Sequence, residues 1–369
     1  MKIVCSKSNL LSGINIVLKA VPAKTSMPIL ECIMINAEKN EIKLESNDME
    51  LAIETRIEGS IIEEGRIAIN AKIFSDIIRK LPDSDVTLET DSSLNTHISC
   101  DRTNFNISAK EGDEFPALPY IEKDNKITLS ELALKDIIRQ TVFSISDNEN
   151  NIIMTGELFE ITGNKLRVVA LDGHRIAIRK IDLREDYGNH KVIVPGKALS
   201  EIIKILNGEN SSDVNIYFSD KNIMFELENT IILSRIIDGE YYKIDQMIST
   251  DFETHIVINK QQLFNSIDRA MPLVKETDKK PIIIGIDDES MSLKMNTQIG
   301  KYEESVTISK DGKDILIGFN PKFIMDVLKN IDDEEIDIYL INSKAPCFIK
   351  NKEESYIYLI LPVNISNER

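Results

Sequence analysis

The chain has 369 residues, 42% of them hydrophobic and 28% charged, with a formal net charge of −17. That composition suits a globular protein with room for two or three domains; no apolar run approaches the roughly 20 residues needed to span a bilayer, so neither a disordered nor a membrane-spanning chain is expected. So acidic a chain is also a poor partner for nucleic acid, unless its positive charge is gathered on one face.

The first residues, Met1-Lys2-Ile3-Val4-Cys5-Ser6, lack the long apolar core and small-residue cleavage site of a secretory signal, which predicts a cytoplasmic protein. Lys2-Ile3-Val4 reads as a short strand and Ser6 as the cap of a helix. The arrangement returns at Lys126-Ile127-Thr128 with Ser130, and at His255-Ile256-Val257 with Asn259. Residues 3–14, 127–138 and 256–267 align without gaps, with Leu10, Leu134 and Leu263 in step. Glu41-Ile42-Lys43-Leu44-Glu45-Ser46 alternates strictly, as a half-buried strand does.

The next element is written three times. Lys72-Ile73-Phe74-Ser75-Asp76-Ile77-Ile78-Arg79-Lys80-Leu81 returns as Lys197-Ala198-Leu199-Ser200-Glu201-Ile202-Ile203-Lys204-Ile205-Leu206 and as Lys322-Phe323-Ile324-Met325-Asp326-Val327-Leu328-Lys329-Asn330-Ile331, at one interval of 125 residues. An interval of that length is a whole domain rather than a solenoid repeat. Gly112-Asp113-Glu114-Phe115-Pro116 and Asp238-Gly239-Glu240-Tyr241-Tyr242 mark the ends of the first two copies, each followed by a polar connector. The chain is therefore read as three tandem domains, 1–122, 123–250 and 251–369.

In each copy of the repeated helix five apolar positions, such as Ile73, Phe74, Ile77, Ile78 and Leu81, form one stripe at 100° per residue. The bases Lys72/Arg79, Lys197/Lys204 and Lys322/Lys329 project about 180° from that stripe, within roughly 20° of each other. Two readings fit. The helices present positive charge to a polyanion, or Asp76, Glu201 and Asp326 simply pair with the bases within each helix.

Leu166-Arg167-Val168-Val169-Ala170 and Ile176-Ala177-Ile178 flank an Asp172-Gly173 turn, so His174 beside Asp172 belongs to a hairpin rather than to a catalytic pair. Val214-Asn215-Ile216-Tyr217-Phe218 and Asn222-Ile223-Met224-Phe225-Glu226-Leu227 read as strands around a turn. The sum is an α+β fold with two helices and several antiparallel strands per domain.

The chain has no visible catalytic machinery. Cys5, Cys32, Cys100 and Cys347 are scattered without a C-x-x-C pair and are expected to be buried thiols. His97, His190 and His255 stand apart from any ligand spacing, and there is no Walker glycine loop, G-x-S-x-G or H-E-x-x-H. Asp287-Asp288-Glu289 and Asp332-Asp333-Glu334-Glu335 read as solvated turns, so no metal and no cofactor is expected.

Met27-Pro28-Ile29-Leu30, Leu171-Asp172-Gly173-His174-Arg175-Ile176, Ile317-Gly318-Phe319-Asn320-Pro321 and the terminal Tyr358-Leu359-Ile360-Leu361-Pro362-Val363, set in three tandem α+β domains, resemble the bacterial β sliding clamp of DNA polymerase III. The resemblance covers the whole chain. It implies a processivity factor, not an enzyme: a head-to-tail homodimeric ring of six domains around duplex DNA, helices lining the hole and sheets outside. An acidic outside and a basic lining would reconcile the net charge with sequence-independent sliding. The lining implied is Lys24, Lys72, Arg79, Lys80, Lys135, Arg139, Lys197, Lys204, Lys322 and Lys329. Asn148, Ile152 and Ile153 stand in a DNA-facing loop where the family often carries aromatics.

The resemblance also implies an apolar groove for short linear peptides of the polymerase III catalytic subunit, the clamp loader, other polymerases and repair proteins. Its matching positions are Met154, Leu171, Gly173, His174, Arg175, Ile176, Tyr242, Met247, Asn320, Phe323, Pro346, Leu359, Leu361, Pro362 and Val363. Tyr242 stands where the family often has Pro, and Gln246 where it often has Arg. The dimer contact would join Leu273, Val274, Glu303 and Glu304 of one chain to Arg102 of the other. The alternative is a triplicated α+β metabolic enzyme with a site at a domain junction. A tight dimer mass separates the two.

Overall fold

The computed structural model describes all residues except 125, 209–211, 250, 275–279 and 366–369. Among the described residues are six α-helices: α1 (Lys7–Val17), α2 (Ala71–Lys80), α3 (Glu131–Arg139), α4 (Gly196–Ile205), α5 (Lys260–Ala270) and α6 (Pro321–Asn330). The capping residues legible in the sequence do their work. Ser6 Oγ accepts from the Asn9 amide at 3.2 Å, Ser130 Oγ from Ala133 at 3.2 Å, and Asn259 Oδ1 from Gln262 at 2.9 Å, each satisfying a donor that the first helical turn leaves without a partner. Asn70 and Asn320 cap α2 and α6 in the same way.

The chain forms two compact units. One comprises Met1–Leu134 with Glu201–Ile236, the other Lys135–Ser200 with Ile237–Arg369, so the middle repeat contributes to both. In the first unit a five-stranded sheet runs in the order Ser60–Glu63, Lys2–Ser6, Asp85–Thr90, Asn95–Cys100, Thr103–Ser108. A nine-stranded sheet joins Leu51–Ile57 to Thr230–Arg235, antiparallel, with Ala52 opposite Leu233. The second unit repeats the plan. Its nine-stranded sheet joins Arg175–Asp182 to Tyr356–Ile360 with Ile176 opposite Leu359, and its four-stranded sheet ends on Gly300–Thr307.

The helices lay their stripes on these sheets. Phe74, Ile78, Leu199, Ile202, Ile324 and Leu328 are buried. The stripe on α2 departs from expectation: Ile73 is 51% exposed and Ile77 half-exposed, so one edge of it stays open to solvent. The four cysteines are buried free thiols, and burial pushes those of Cys5 and Cys347 up to about 12. Among the described residues no helix is long and apolar enough to cross a membrane.

Glu157 is fully buried in the second unit. Thr141 Oγ1 donates to its Oε2 at 3.0 Å, and Oε1 has no partner. Desolvation therefore holds its carboxyl well above the usual range, with the Thr141 bond opposing only in part. Below about pH 4 neither the folded nor the unfolded chain ionises this group. As pH rises the unfolded chain loses the proton first, so stability falls toward the raised folded value. Replacing Glu157 with Gln should stabilise the protein by about 1 kcal/mol or more at pH 8 and by little at pH 4. Urea melts of the two proteins across that range check this; a pH-independent difference would contradict it.

Candidate nucleic-acid and peptide interfaces

The repeated helices turn their bases outward. Lys72, Arg79 and Lys80 on α2, Lys197 and Lys204 on α4, and Lys322 and Lys329 on α6 are all exposed, as is Lys24. Intrahelical pairing explains part of the pattern: Lys204 Nζ lies 2.7 Å from Glu201, and Arg79 lies 4.0 Å from Asp76. In α6 the corresponding acid, Asp326, reaches out of its helix to Arg175 at 2.6 Å. Lys135 and Arg139 on α3 are half-buried. Arg139 is largely taken up by Asp332 at 2.7 Å and Asp136 at 3.3 Å, and also donates to the Asn330 carbonyl at 3.4 Å, so its role includes tying α3 to the end of α6. In the loop before Gly156, Asn148 and Ile152 are exposed, while Ile153 packs inward beside Met154.

The groove residues fall into a floor, a clamp and a rim. Leu171, Ile176 and Leu359 are buried with Tyr241 and Ile244 in one apolar cluster, so they support the groove rather than line it. Asp172 shapes the hairpin: its Oδ1 accepts from the amides of His174 at 2.9 Å and Arg175 at 3.1 Å, while Gly173 takes the left-handed φ of +87°. Arg175 is the clamp. Its guanidinium donates to Asp172 at 2.9 Å, Asp326 at 2.6 Å and the Phe143 carbonyl at 2.6 Å, and lies 4.5 Å from the Phe323 ring centre. The His174 ring lies within 23° of parallel to that of Phe323, with ring centres 6.1 Å apart.

The terminal strand closes this arrangement. The Leu361 amide donates to the His174 carbonyl at 2.8 Å, and the Val363 amide to Gly318 at 2.8 Å, which fixes Pro362 between them. Asn320 caps α6 beside Phe323, and half-buried Pro346 leads into Cys347–Lys350, the strand paired with Tyr356–Ile360. Leu361 (38%), Tyr242 (36%) and Met247 (46%) are left as exposed apolar side chains. Asn151 Nδ2 donates to the Tyr242 hydroxyl at 2.7 Å, which orients the Tyr242 ring.

The proposed chain–chain residues sit at two sheet edges. Arg102 is exposed just before Thr103–Ser108, an edge strand carrying partly exposed Phe105. Leu273 and Val274 are half-buried against the core of the third repeat. Glu303, on the edge strand Gly300–Thr307, pairs with Lys294 at 2.6 Å. Glu304 is already matched within its own chain. Arg269, the Ser266 hydroxyl at 2.9 Å and the Tyr302 hydroxyl at 2.6 Å all donate to it and hold its carboxyl down at about 2.

The sequence alone did not point to Asp326, Phe143 or Asn151 in the groove, nor to Ile73 and Phe105 as exposed apolar side chains. Asp326 offered a signal: it is the acid of the third helix copy, and only the hairpin's position tells that it faces Arg175. Among the described residues no group of His, Cys, Asp or Glu is arranged to hold a metal ion.

Six helices on antiparallel sheets, with outward bases on the repeated helices and a terminal strand paired to the Asp172 hairpin, describe a DNA-clamp protein. Residues 1–119 match the family of the DNA polymerase III beta subunit, N-terminal domain; residues 128–243 match its central domain and residues 245–364 its C-terminal domain. A beta sliding clamp of Staphylococcus epidermidis is 33% identical over 374 residues, covering 98% of this chain and 99% of that protein. A crystal structure described as a DNA polymerase III beta subunit from Eubacterium rectale shares 59% identity with a TM-score of 0.96, covering 99% of this chain and 100% of that one. The sliding clamp of Bacillus subtilis shares 32% identity with a TM-score of 0.95, covering 99% of each chain. The chain belongs to the bacterial beta sliding clamp family. It is a DNA polymerase processivity clamp, an accessory subunit and not an enzyme, and the metabolic-enzyme alternative falls away.

Proposed function

We propose that two copies of this chain close head to tail into a ring of six repeats around duplex DNA in the cytoplasm. Domain boundaries fall at 122/123 and 250/251. The ring holds the polymerase on its template through topology, so the attraction between its lining and the phosphates needs only to be weak enough to allow sliding. The observation that carries this is the outward display of bases on α2, α4 and α6, two residues deep on each helix face, in a chain of net charge −17. Lys24, Lys72, Arg79, Lys80, Lys135, Lys197, Lys204, Lys322 and Lys329 face the DNA. Arg139 contributes less, since Asp332 and Asp136 already neutralise it.

Reversing Arg79, Lys204 and Lys329 together to Glu should leave folding and dimerisation nearly intact, because exposed polar positions tolerate substitution within about 0.5 kcal/mol each. Loading onto DNA should fall, and more at low salt than at moderate salt. Equal loading of variant and parent at both salts would favour the purely intrahelical reading of these charges.

The groove around Leu361 binds short peptides of the polymerase III catalytic subunit, the clamp loader and other replication and repair proteins. Arg175 is occupied by Asp172 and Asp326, so peptide affinity comes from apolar burial against Tyr242, Met247, Leu361 and Val363 rather than from an ion pair. Leu361→Ala with Val363→Ala should preserve the dimer and weaken a Gln-Leu-x-Leu-Phe peptide at least tenfold, about 1.4 kcal/mol. Undiminished binding by calorimetry would remove the groove.

A further inference from the structure

The junction that builds the Leu361 groove occurs a second time, in the unit of Met1–Leu134 with Glu201–Ile236. Leu51 lies opposite Ser234 and Ala52 opposite Leu233, as Arg175 lies opposite Ile360 and Ile176 opposite Leu359. Asp48 Oδ1 accepts from the amides of Glu50 at 2.9 Å and Leu51 at 2.7 Å, the bonds that Asp172 makes in the other hairpin. The Arg235 amide donates to the Glu50 carbonyl at 2.9 Å, the bond that Leu361 makes to His174. Phe115 and Pro116 take the sequence places of Tyr241 and Tyr242. Between them opens a cavity of about 80 Å³ lined by Met49, Ala52, Pro116, Pro119 and Leu233.

Two features of this junction face solvent. Met49 adopts φ +75° where the other hairpin has Gly173, a left-handed conformation that costs a non-glycine residue about 1 kcal/mol, yet its side chain is 50% exposed. An adaptable thioether thus stands at the lip of a cavity whose apolar wall of Ala52, Pro116 and Leu233 is edged by Asn47, Asn222 and Arg235. Beside it Glu50 and Arg235 form a long, open pair at 3.4 Å, with Glu50 66% exposed, so that most of its acceptor capacity faces solvent.

We propose that this junction is a second peptide-docking groove. It takes a short extended cationic segment that seats one medium-sized apolar side chain against Met49, Ala52 and Leu233 and sets a Lys or Arg on Glu50. The cavity is far below the roughly 300 Å³ of a small-molecule site, which fits a single side chain of a peptide. The net charge of −17 and the open carboxylate of Glu50 select a cation over an anion. The inference rests on reading the Leu361 groove as a peptide site.

The test uses the full chain with ¹³C-methyl-labelled methionine, titrated with the hexapeptide acetyl-Lys-Gly-Leu-Phe-Gly-Lys-amide. Met49 reports the lip, and Met224, packed with Leu233 and Ala52, reports the floor. Both methyl signals should shift saturably, and a control peptide with Ser in place of Leu and Phe should leave them still. Met49→Gly, which relieves the backbone, and Glu50→Lys should each weaken binding read at Met224 at least tenfold. Unmoved Met49 and Met224 signals, or unchanged affinity in both variants, overturn the second groove whatever Met154 and Met247 do. A response at Met49 with Met154 and Met247 silent to a Gln-Leu-x-Leu-Phe peptide would instead remove the reading of the first.

Discussion

Leu273→Ala combined with Val274→Asp should give a folded monomer that no longer stays on circular DNA. Both residues are half-buried against the third repeat, so truncation and charge at this edge leave the core of Ile267, Leu293 and Ile317 in place. Two bases of its own repeat are already engaged and do not offer the new carboxylate a partner, Arg269 by Glu304 and Lys294 by Glu303. An unpaired charge in an apolar contact costs several kcal/mol, enough to move a micromolar or tighter association out of reach at working concentrations. Sedimentation velocity at micromolar chain measures it. A variant that sediments as a dimer would mean that the contact lies elsewhere. Arg102→Glu alone should have a smaller effect, since Glu304 has its own partners and loses little when Arg102 leaves.

The second large effect is expected at Arg175. Replacement with Met keeps the stem over Phe143 and Phe323 but strips the cation from Asp172 and Asp326, whose side chains are 13% and 35% exposed. Leaving two such carboxylates without their shared partner should cost about 3 kcal/mol, the lower end of the range for a broken buried pair because Asp326 retains some water. The hairpin would then loosen from α6, and peptide binding should fall more than tenfold although Arg175 itself touches no peptide in this account. Adding Asp326→Asn should restore part of the stability, because it removes one of the stranded charges. Urea melts and calorimetry on the single and double variants decide the matter. A single variant of unaltered stability would contradict the clamp.

These outcomes depend on features legible to very different degrees in the sequence. The repeated helices were readable because their period is strict and local: Phe74, Leu199 and Ile324 recur in step, and the caps Ser6, Ser130 and Asn259 announce where helices begin. The Asp172-Gly173 turn was equally local. What a stripe faces is not local. Ile73 and Phe74 are adjacent apolar residues on one helix, and only the assembled sheet determines that Phe74 is buried while Ile73 stays 51% exposed. The charges divide in the same way. Asp76, Glu201 and Asp326 are the same position in three copies, yet the first two stay within their helices and the third reaches Arg175, 151 residues away in sequence. Likewise Glu304 looked available to a partner chain until Arg269, Ser266 and Tyr302 were found around it.

The central claim is that the protein is held to DNA by encirclement. The most direct measurement is retention of labelled protein on nicked circular DNA, followed by cutting the circle at one site in buffer of moderate salt. Encirclement predicts stable retention on the circle and rapid loss from the linear product, with the Leu273→Ala, Val274→Asp variant failing to be retained on either. Equal retention on circular and linear DNA would contradict the account and leave ordinary electrostatic binding in its place.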